Sequence, residues 1–140
     1  MNLSTADHSA QPPQVTIPRG YNAAHDLLAR NDKTAFINAV NGDKLSYTEL
    51  TRQSHQFANA LRARGFTPES RVLIAMLDTP DWPVVFLGCI LAGVVPVAAN
   101  TLLTTADFEF MLRDSRAQGL AVSSALLPAF KPLFGHIDSV

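Results

Sequence analysis

Residues 83–99 read PVVFLGCILAGVVPVAA, seventeen residues without a charged or strongly polar side chain. As one helix the run would be just long enough to cross a bilayer. Its flanks and interior argue for a helix followed by a strand. The preceding residues 78–82, DTPDW, have the form of a helix start. Thr79 is placed as an N-cap, Pro80 at the first helical position and Asp81 near the positive end of the helix dipole. Gly93 is placed to end that helix, and Pro96 opposes its continuation. The β-branched VVPVAA then suits a short buried strand. No Lys or Arg cluster flanks the run, as a membrane orientation signal would require. The spacing therefore predicts a helix over 80–92 and a strand over 94–98.

Upstream, RVLIAML (71–77) is nearly all apolar, as expected of a strand buried on both faces. Strand, helix and strand with short links form a βαβ unit. Further upstream, 21–30 predicts a helix with Ala24, Leu27 and Leu28 on one face. Residues 34–40 predict a strand, and Asn41-Gly42-Asp43-Lys44 a hairpin turn returning through Leu45–Tyr47. Ser46 to Glu49 has capping-box spacing ahead of a helix that carries Leu50, Phe57, Ala60 and Leu61 inward and ends at Gly65. Downstream, Thr104 to Asp107 opens a helix that buries Phe108, Met111 and Leu112 and ends at 114–116. Residues 119–123 predict a strand and 124–134 a last, proline-interrupted helix.

These elements predict an α/β fold: a layered, mostly parallel sheet with flanking helices and a small N-terminal hairpin. The chain has 140 residues, about one domain's worth, and a chain this long can bury roughly 70% of its unfolded surface. Residues 1–15 are polar and proline-bearing and are expected to form a flexible lead-in, with 16–140 an incomplete α/β subdomain. The N-terminus lacks the basic-then-apolar pattern of a signal peptide. The net charge is -1, so nothing in the balance favours a nucleic-acid face. The single cysteine, Cys89, cannot form an internal disulfide and fits a reducing, cytoplasmic compartment.

In open α/β sheets, ligands bind beyond the carboxyl ends of the strands. Those ends carry LDTPDW (77–82) and AANTLLT (98–104), and neither is a phosphate cradle. The sequence contains no G-x-G-x-x-G after a strand, no G-x-x-x-x-G-K-[ST] and no G-x-S-x-G. Asp78 and Asp81 are the only close carboxylates beside an apolar strand. An acid–base role is conceivable for them, and turn or cap chemistry is the favoured reading. Trp82 either lines a pocket or, as favoured, packs on the sheet. Asn100 and Thr101 follow a strand end and are candidate ligand contacts, with self-capping of their own loop as the alternative. His8, His25, His55 and His136 are scattered without metal-ligand spacing, and Cys89 has no neighbouring cation in sequence to activate it.

Taken together, LSYTELTRQSHQFANALRARGFTPESRVLIAML (45–77), DTPDWPVVFLGCILAGVVPVAANTLLTTADFEFML (78–112) and AQGLAVSS (117–124) resemble the N-terminal part of adenylate-forming (AMP-binding) acyl- and aryl-CoA ligases. The wording of YNAAHDLL, MLDTPDWPVVFLG and VAANTLLTTADF is most similar to that of benzoate- and hydroxybenzoate-CoA ligases. The resemblance implies part of the large N-terminal domain of an enzyme several hundred residues long. That enzyme would use ATP, Mg²⁺ and coenzyme A to convert a small aromatic carboxylate first to an acyl-adenylate and then to an acyl-CoA. The family's Ser/Thr/Gly-rich phosphate loop, its Thr-Glu metal motif, its ribose-binding Asp and the Lys of its C-terminal domain have no counterpart in these residues. The resemblance thus implies no catalytic or metal-binding residue here, no cofactor held by the 140-residue chain alone and no activity of that chain. Asn100 and Thr101 are the substrate- or CoA-adjacent candidates. Leu102 falls where some relatives place an Arg that can meet a CoA phosphate. The expected partners are the carboxylate and CoA, with no nucleic acid and no membrane. An uncovered apolar face and sheet edge would favour self-association. A stand-alone α/β binding or interaction module is the alternative reading.

Overall fold

The computed structural model describes residues 2–29 and 32–137. In chain order the strands and helices are β1 (Thr5–Asp7), β2 (Gln14–Thr16), α1 (Ala23–Leu28), β3 (Thr34–Ile37), β4 (Lys44–Ser46), α2 (Tyr47–Ala63), β5 (Arg71–Ala75), α3 (Asp81–Ala92), β6 (Val95–Ala98), α4 (Thr105–Ser115), β7 (Gly119–Val122) and α5 (Leu127–Phe130). The centre is a three-stranded parallel sheet in the order β6-β5-β7. Two antiparallel hairpins, β1–β2 and β3–β4, stand beside it.

The apolar tract divides as its flanks predict. Gly93 adopts φ 81, a left-handed value at which a β-carbon would be strained. Its N–H donates to the Ile90 carbonyl at 3.0 Å, and the Val94 N–H donates to the Cys89 carbonyl at 2.9 Å. This paired closure satisfies helix-end carbonyls and turns the chain into β6. Among the described residues, no helix is long and apolar enough to cross a membrane.

β5 shows why its sequence lacks hydrophobic alternation. Val72 and Ile74 face a core built with Ala58 and Leu61 of α2 and Val85, Cys89 and Ala92 of α3. Leu73 and Ala75 face a second core with Phe108 and Leu112 of α4, Phe130 of α5, and Leu133. Both faces exclude water, so every position from Val72 to Ala75 is apolar and buried. Complete burial of Leu73 or Ile74 is worth about 1.5–3 kcal/mol each. The Phe108 and Phe130 rings meet in the second core with centroids 4.3 Å apart.

Several expectations need correction. Thr79 does not cap α3: Pro80 occupies the cap position without a side-chain hydrogen bond, and Thr79 contributes its backbone carbonyl to the Trp82 N–H at 3.0 Å. Pro80 has right-handed helical backbone angles, φ -57 and ψ -19, and Asp81 is the first residue of the helix. Leu27 is 53% exposed, whereas Ala24 and Leu28 are buried. The inward seam of α2 is Leu50, Ser54, Ala58 and Leu61, with Phe57 and Ala60 half-buried beside it. Small side chains lie in that seam because α3 approaches closely. Residues 124–133 form two 3-10 turns around the four-residue α5, because Pro128 and Pro132 each remove a backbone donor. The lead-in, where no element was expected, contains the β1–β2 hairpin. Arg30, the end of the expected first helix, lies outside the described residues.

The remaining caps follow the sequence. Ser46 Oγ accepts the Glu49 N–H at 3.2 Å. Thr104 and Asp107 form a reciprocal capping box at the start of α4. Asn41-Gly42 lies in the β3–β4 turn.

Candidate functional site

Parallel strands bring three chain exits to one end of the sheet. β5 leads into Met76–Pro80, β6 into Ala99–Leu103 and β7 into Ser123. Backbone bonds continue past the strands: the Ala99 N–H reaches the Ile74 carbonyl at 2.9 Å, and the Ser123 N–H reaches the Ala75 carbonyl at 3.1 Å. Ser123 Oγ accepts the Leu77 N–H at 2.9 Å, so one hydroxyl ties the β7 exit to the β5 exit. From the sequence alone Ser123 is only the last residue of the expected 119–123 strand. A serine immediately after a strand was the available signal.

Asn100 and Thr101 lie at this end, at the β6 exit. The Asn100 Oδ1 accepts the Leu102 N–H at 2.9 Å, which is the self-capping alternative for this loop. Thr101 is half-buried within the same turn. The loop therefore delivers the chain to the Thr104 cap in a fixed geometry. Leu102 stands 89% exposed at its tip, an apolar side chain unable to pair with a phosphate. Asp107 accepts from both the Thr104 N–H (3.0 Å) and the Thr104 hydroxyl (2.7 Å). The hydroxyl and backbone bonds from Thr104 hold its carboxyl below the usual range. It is committed to the helix cap.

Asp78, in the β5 exit, and Asp81, the first residue of α3, are both exposed. Trp82 does two things at once. It stacks on Phe86 with ring centroids 4.9 Å apart and planes 13° from parallel, against the α2–α3 core. It also lines, with Phe36 and Pro83, two adjoining cavities of about 250 Å³ each, between the β3–β4 hairpin and the start of α3. One cavity is apolar, with Leu50 and Leu87 in its wall; Asp78 and Thr79 edge the other. Phe36 was missed as a lining residue because its neighbour across the slot comes 46 positions later in the chain.

The remaining chemistry-bearing groups are not assembled into a centre. Burial pushes the Cys89 thiol up to about 12, so it is a protonated core group and not a nucleophile. Among the described residues, no three His, Cys, Asp or Glu side chains are grouped to hold a metal ion.

A family described as AMP-binding enzyme matches residues 24–138. The chain belongs to the AMP-binding enzyme family. It is 45% identical to a benzoate–CoA ligase of Thauera aromatica over 99% of this chain and 27% of that protein. It is 38% identical to a 4-hydroxybenzoate–CoA/benzoate–CoA ligase of Rhodopseudomonas palustris, over 81% of this chain and 22% of the relative. Among solved structures, a benzoate CoA ligase from Burkholderia xenovorans superimposes with a TM-score of 0.73 at 45% identity, covering 78% of this chain and 23% of that one. An anthranilate CoA ligase in complex with anthranoyl-AMP superimposes with a TM-score of 0.82 at 29% identity, covering 89% and 24%. The AMP-binding fold expected from the sequence is therefore present. The chain spans about a quarter of the length of these relatives.

Proposed function

We propose that this chain is the N-terminal portion of an aromatic-acid CoA ligase. The whole enzyme would join a benzoate-type carboxylate to AMP from ATP, release pyrophosphate, and pass the acyl group to the coenzyme A thiol. The observation that carries this reading is the 45% identity to a benzoate–CoA ligase over 99% of the chain. Identity to the related 4-hydroxybenzoate-accepting enzyme supports an aromatic acid as the substrate class.

On this reading the groups that bind and activate the reactants belong to the remainder of the parent. Turning a carboxylate oxygen into an AMP ester needs donors and a cation to spread phosphate charge. The sequence has no glycine-rich phosphate loop, and the described residues hold no metal-ligand cluster. No step through ATP, Mg²⁺ or CoA is therefore assigned to them. Their contribution is positional: β5, β6 and β7 set the carboxyl end of the sheet, and Asn100, with Thr101 next to it, fixes the turn at the β6 exit there. In the parent these two residues would lie beside the bound acyl or CoA group.

The 140-residue chain is expected to give no benzoate-dependent ATP–pyrophosphate exchange. Exchange above background in the purified chain would overturn its inactivity. Reading the coding sequence past the Val140 codon tests the parent: a Ser/Thr/Gly-rich phosphate loop ending in Lys is expected. A stop codon there would favour a stand-alone module. Exchange by the full-length parent with a long-chain fatty acid, and none with benzoate, would remove the aryl assignment.

A further inference from the structure

Both ends of the N-terminal hairpin meet at one carboxylate. Ser4 stands just before β1, and Tyr21 lies between β2 and α1. The Ser4 N–H donates to Asp26 Oδ2 at 3.2 Å, and the Ser4 hydroxyl donates to the same oxygen. The Tyr21 hydroxyl donates to it at 3.0 Å. Bringing the two ends of a segment together costs chain entropy, which bonds at the meeting point must offset. Desolvation first, then the hydrogen bond and charge of Asp26, raise the Tyr21 phenol above its ordinary value, so it stays a donor. Asp26 is itself well anchored, on α1 between the buried Ala24 and Leu28. The segment it gathers has order of its own. β1 and β2 pair antiparallel from Thr5–Thr16 to Asp7–Gln14. Asp7 accepts the Ser9 N–H at 2.9 Å and the Ser9 hydroxyl at 2.6 Å. The strand residues of β1 and β2 are all exposed, so their side chains bury little against the described body.

We propose that Asp26 is the clasp of a hinged N-terminal arm, which is docked on α1 while Ser4 bonds this carboxylate and undocks as one unit when Ser4 lets go. Residues 17–20, between β2 and Tyr21, belong to no helix or strand and form the hinge. Tyr21 stays on the body side of the hinge, where its hydroxyl holds the carboxylate in the orientation that Ser4 meets. Undocking breaks the Ser4 bonds and leaves the apolar cores closed, so it is a local opening and not a global one. Once undocked, a two-stranded hairpin is marginal in water, and its ladder loosens with it. The inference concerns the N-terminal segment and does not depend on the ligase reading.

Backbone order parameters measured by NMR test it, together with the rate of trypsin cleavage after the exposed Arg19 in the hinge. In the unsubstituted chain the β1 and β2 amides are expected to be as rigid as those of Leu73 and Ile74 in β5, near about 0.85. In Asp26→Ala the hairpin amides are expected to fall below about 0.6 while the β5 amides stay rigid. Cleavage after Arg19 is expected to accelerate about tenfold or more, as loss of hydrogen bonds to a charged acceptor implies. Ser4→Pro removes both Ser4 donors without touching α1 and is expected to free the arm in the same way. It decides the matter even if Asp26→Ala fails to fold. Tyr21→Phe is expected to give a smaller change in the same direction. An arm as rigid in Ser4→Pro as in the unsubstituted chain would overturn the proposal. So would an arm already mobile in the unsubstituted chain, or β5 amides that loosen in step with the arm.

Discussion

Phe57 on α2 leaves room for no more than a hydrogen at Gly88 on α3. A β-carbon built on Gly88 would lie 2.9 Å from Phe57 Cδ1 and 2.9 Å from the Ser54 carbonyl oxygen. The ring could turn, but the carbonyl belongs to the helix backbone and cannot. The two helices cover one face of the sheet through this contact, and Ser54 and Ala58 keep the facing seam small. Gly88→Ala is therefore expected to destabilise the chain by about 1–3 kcal/mol through overpacking, despite alanine's better helix propensity. Urea denaturation followed by circular dichroism measures it. An unchanged or raised midpoint would show that α2 and α3 are not held this tightly.

Asn22 links α1 to the far end of α3. Its Oδ1 caps α1 by accepting the His25 N–H at 3.1 Å, while its Nδ2 donates to the Ile90 carbonyl at 2.7 Å. Asn22→Ala removes both and is expected to cost about 1–2 kcal/mol. Asn22→Asp keeps the cap and loses the donor, so its loss is expected to be smaller. Equal losses in the two variants would locate the whole effect in the tie to Ile90.

Arg116 ends α4 in the left-handed region, at φ 51 and ψ 42. An L-residue there is strained by about 1–2 kcal/mol, which glycine avoids, partly offset by glycine's greater freedom in the unfolded chain. Arg116→Gly is expected to raise stability by roughly 1 kcal/mol or less. A clear drop in melting temperature would mean that the arginine side chain matters more than its backbone.

Cys89 sits fully buried between α2 and the sheet, and burial raises its thiol from an ordinary 9.0 to about 12. Raising the folded value penalises the native state once the unfolded thiol can ionise. The stability contribution is therefore complete below pH 9 and is lost progressively as pH rises toward 12. At pH 8 the native chain is expected to resist a disulfide-exchange reagent and to react fully in denaturant. Rapid native labelling would place the thiol at the surface.

Glu49 lies on the outer side of α2, where Arg52 and Gln53 hold its carboxyl at about 2, well below its ordinary 4.5. The lowered folded value means that its contribution is present above pH 4.5 and fades as pH falls toward 2. The pair is solvent-exposed and salt-screened, so its effect on stability is small. An NMR titration of the Glu49 carboxyl is expected to show a midpoint clearly below those of ordinary glutamates, returning toward normal in Arg52→Ala.

Much of the layout could be read from local signals. Ser46, Gly93 and the Thr104–Asp107 box act within a few residues of themselves, so spacing alone revealed them. The unbroken apolar run of β5 announced a strand covered on both sides. The misreadings share a cause. Thr79 has the right type for a cap, but Pro80 changes which backbone position begins the helix. Leu27 matches the helical period, but the described residues leave it at the mouth of the Phe36–Trp82 slot, 53% exposed. At the candidate site the sequence pointed to Asn100 and Thr101. The Ser123–Leu77 link and the Phe36–Trp82 slot depend on segments distant in the chain.

The sequence by itself determined the order of the helices and strands of the sheet and their bounds to within about two residues, because caps, glycines and prolines act on neighbouring backbone. It also determined that the apolar tract folds back as helix and strand. Only the tertiary structure decided the β6-β5-β7 order and the α2–α3 approach at Gly88. Those depend on which surfaces meet, and burial rewards any apolar surface without naming its partner until side-chain shapes and backbone bonds must fit together.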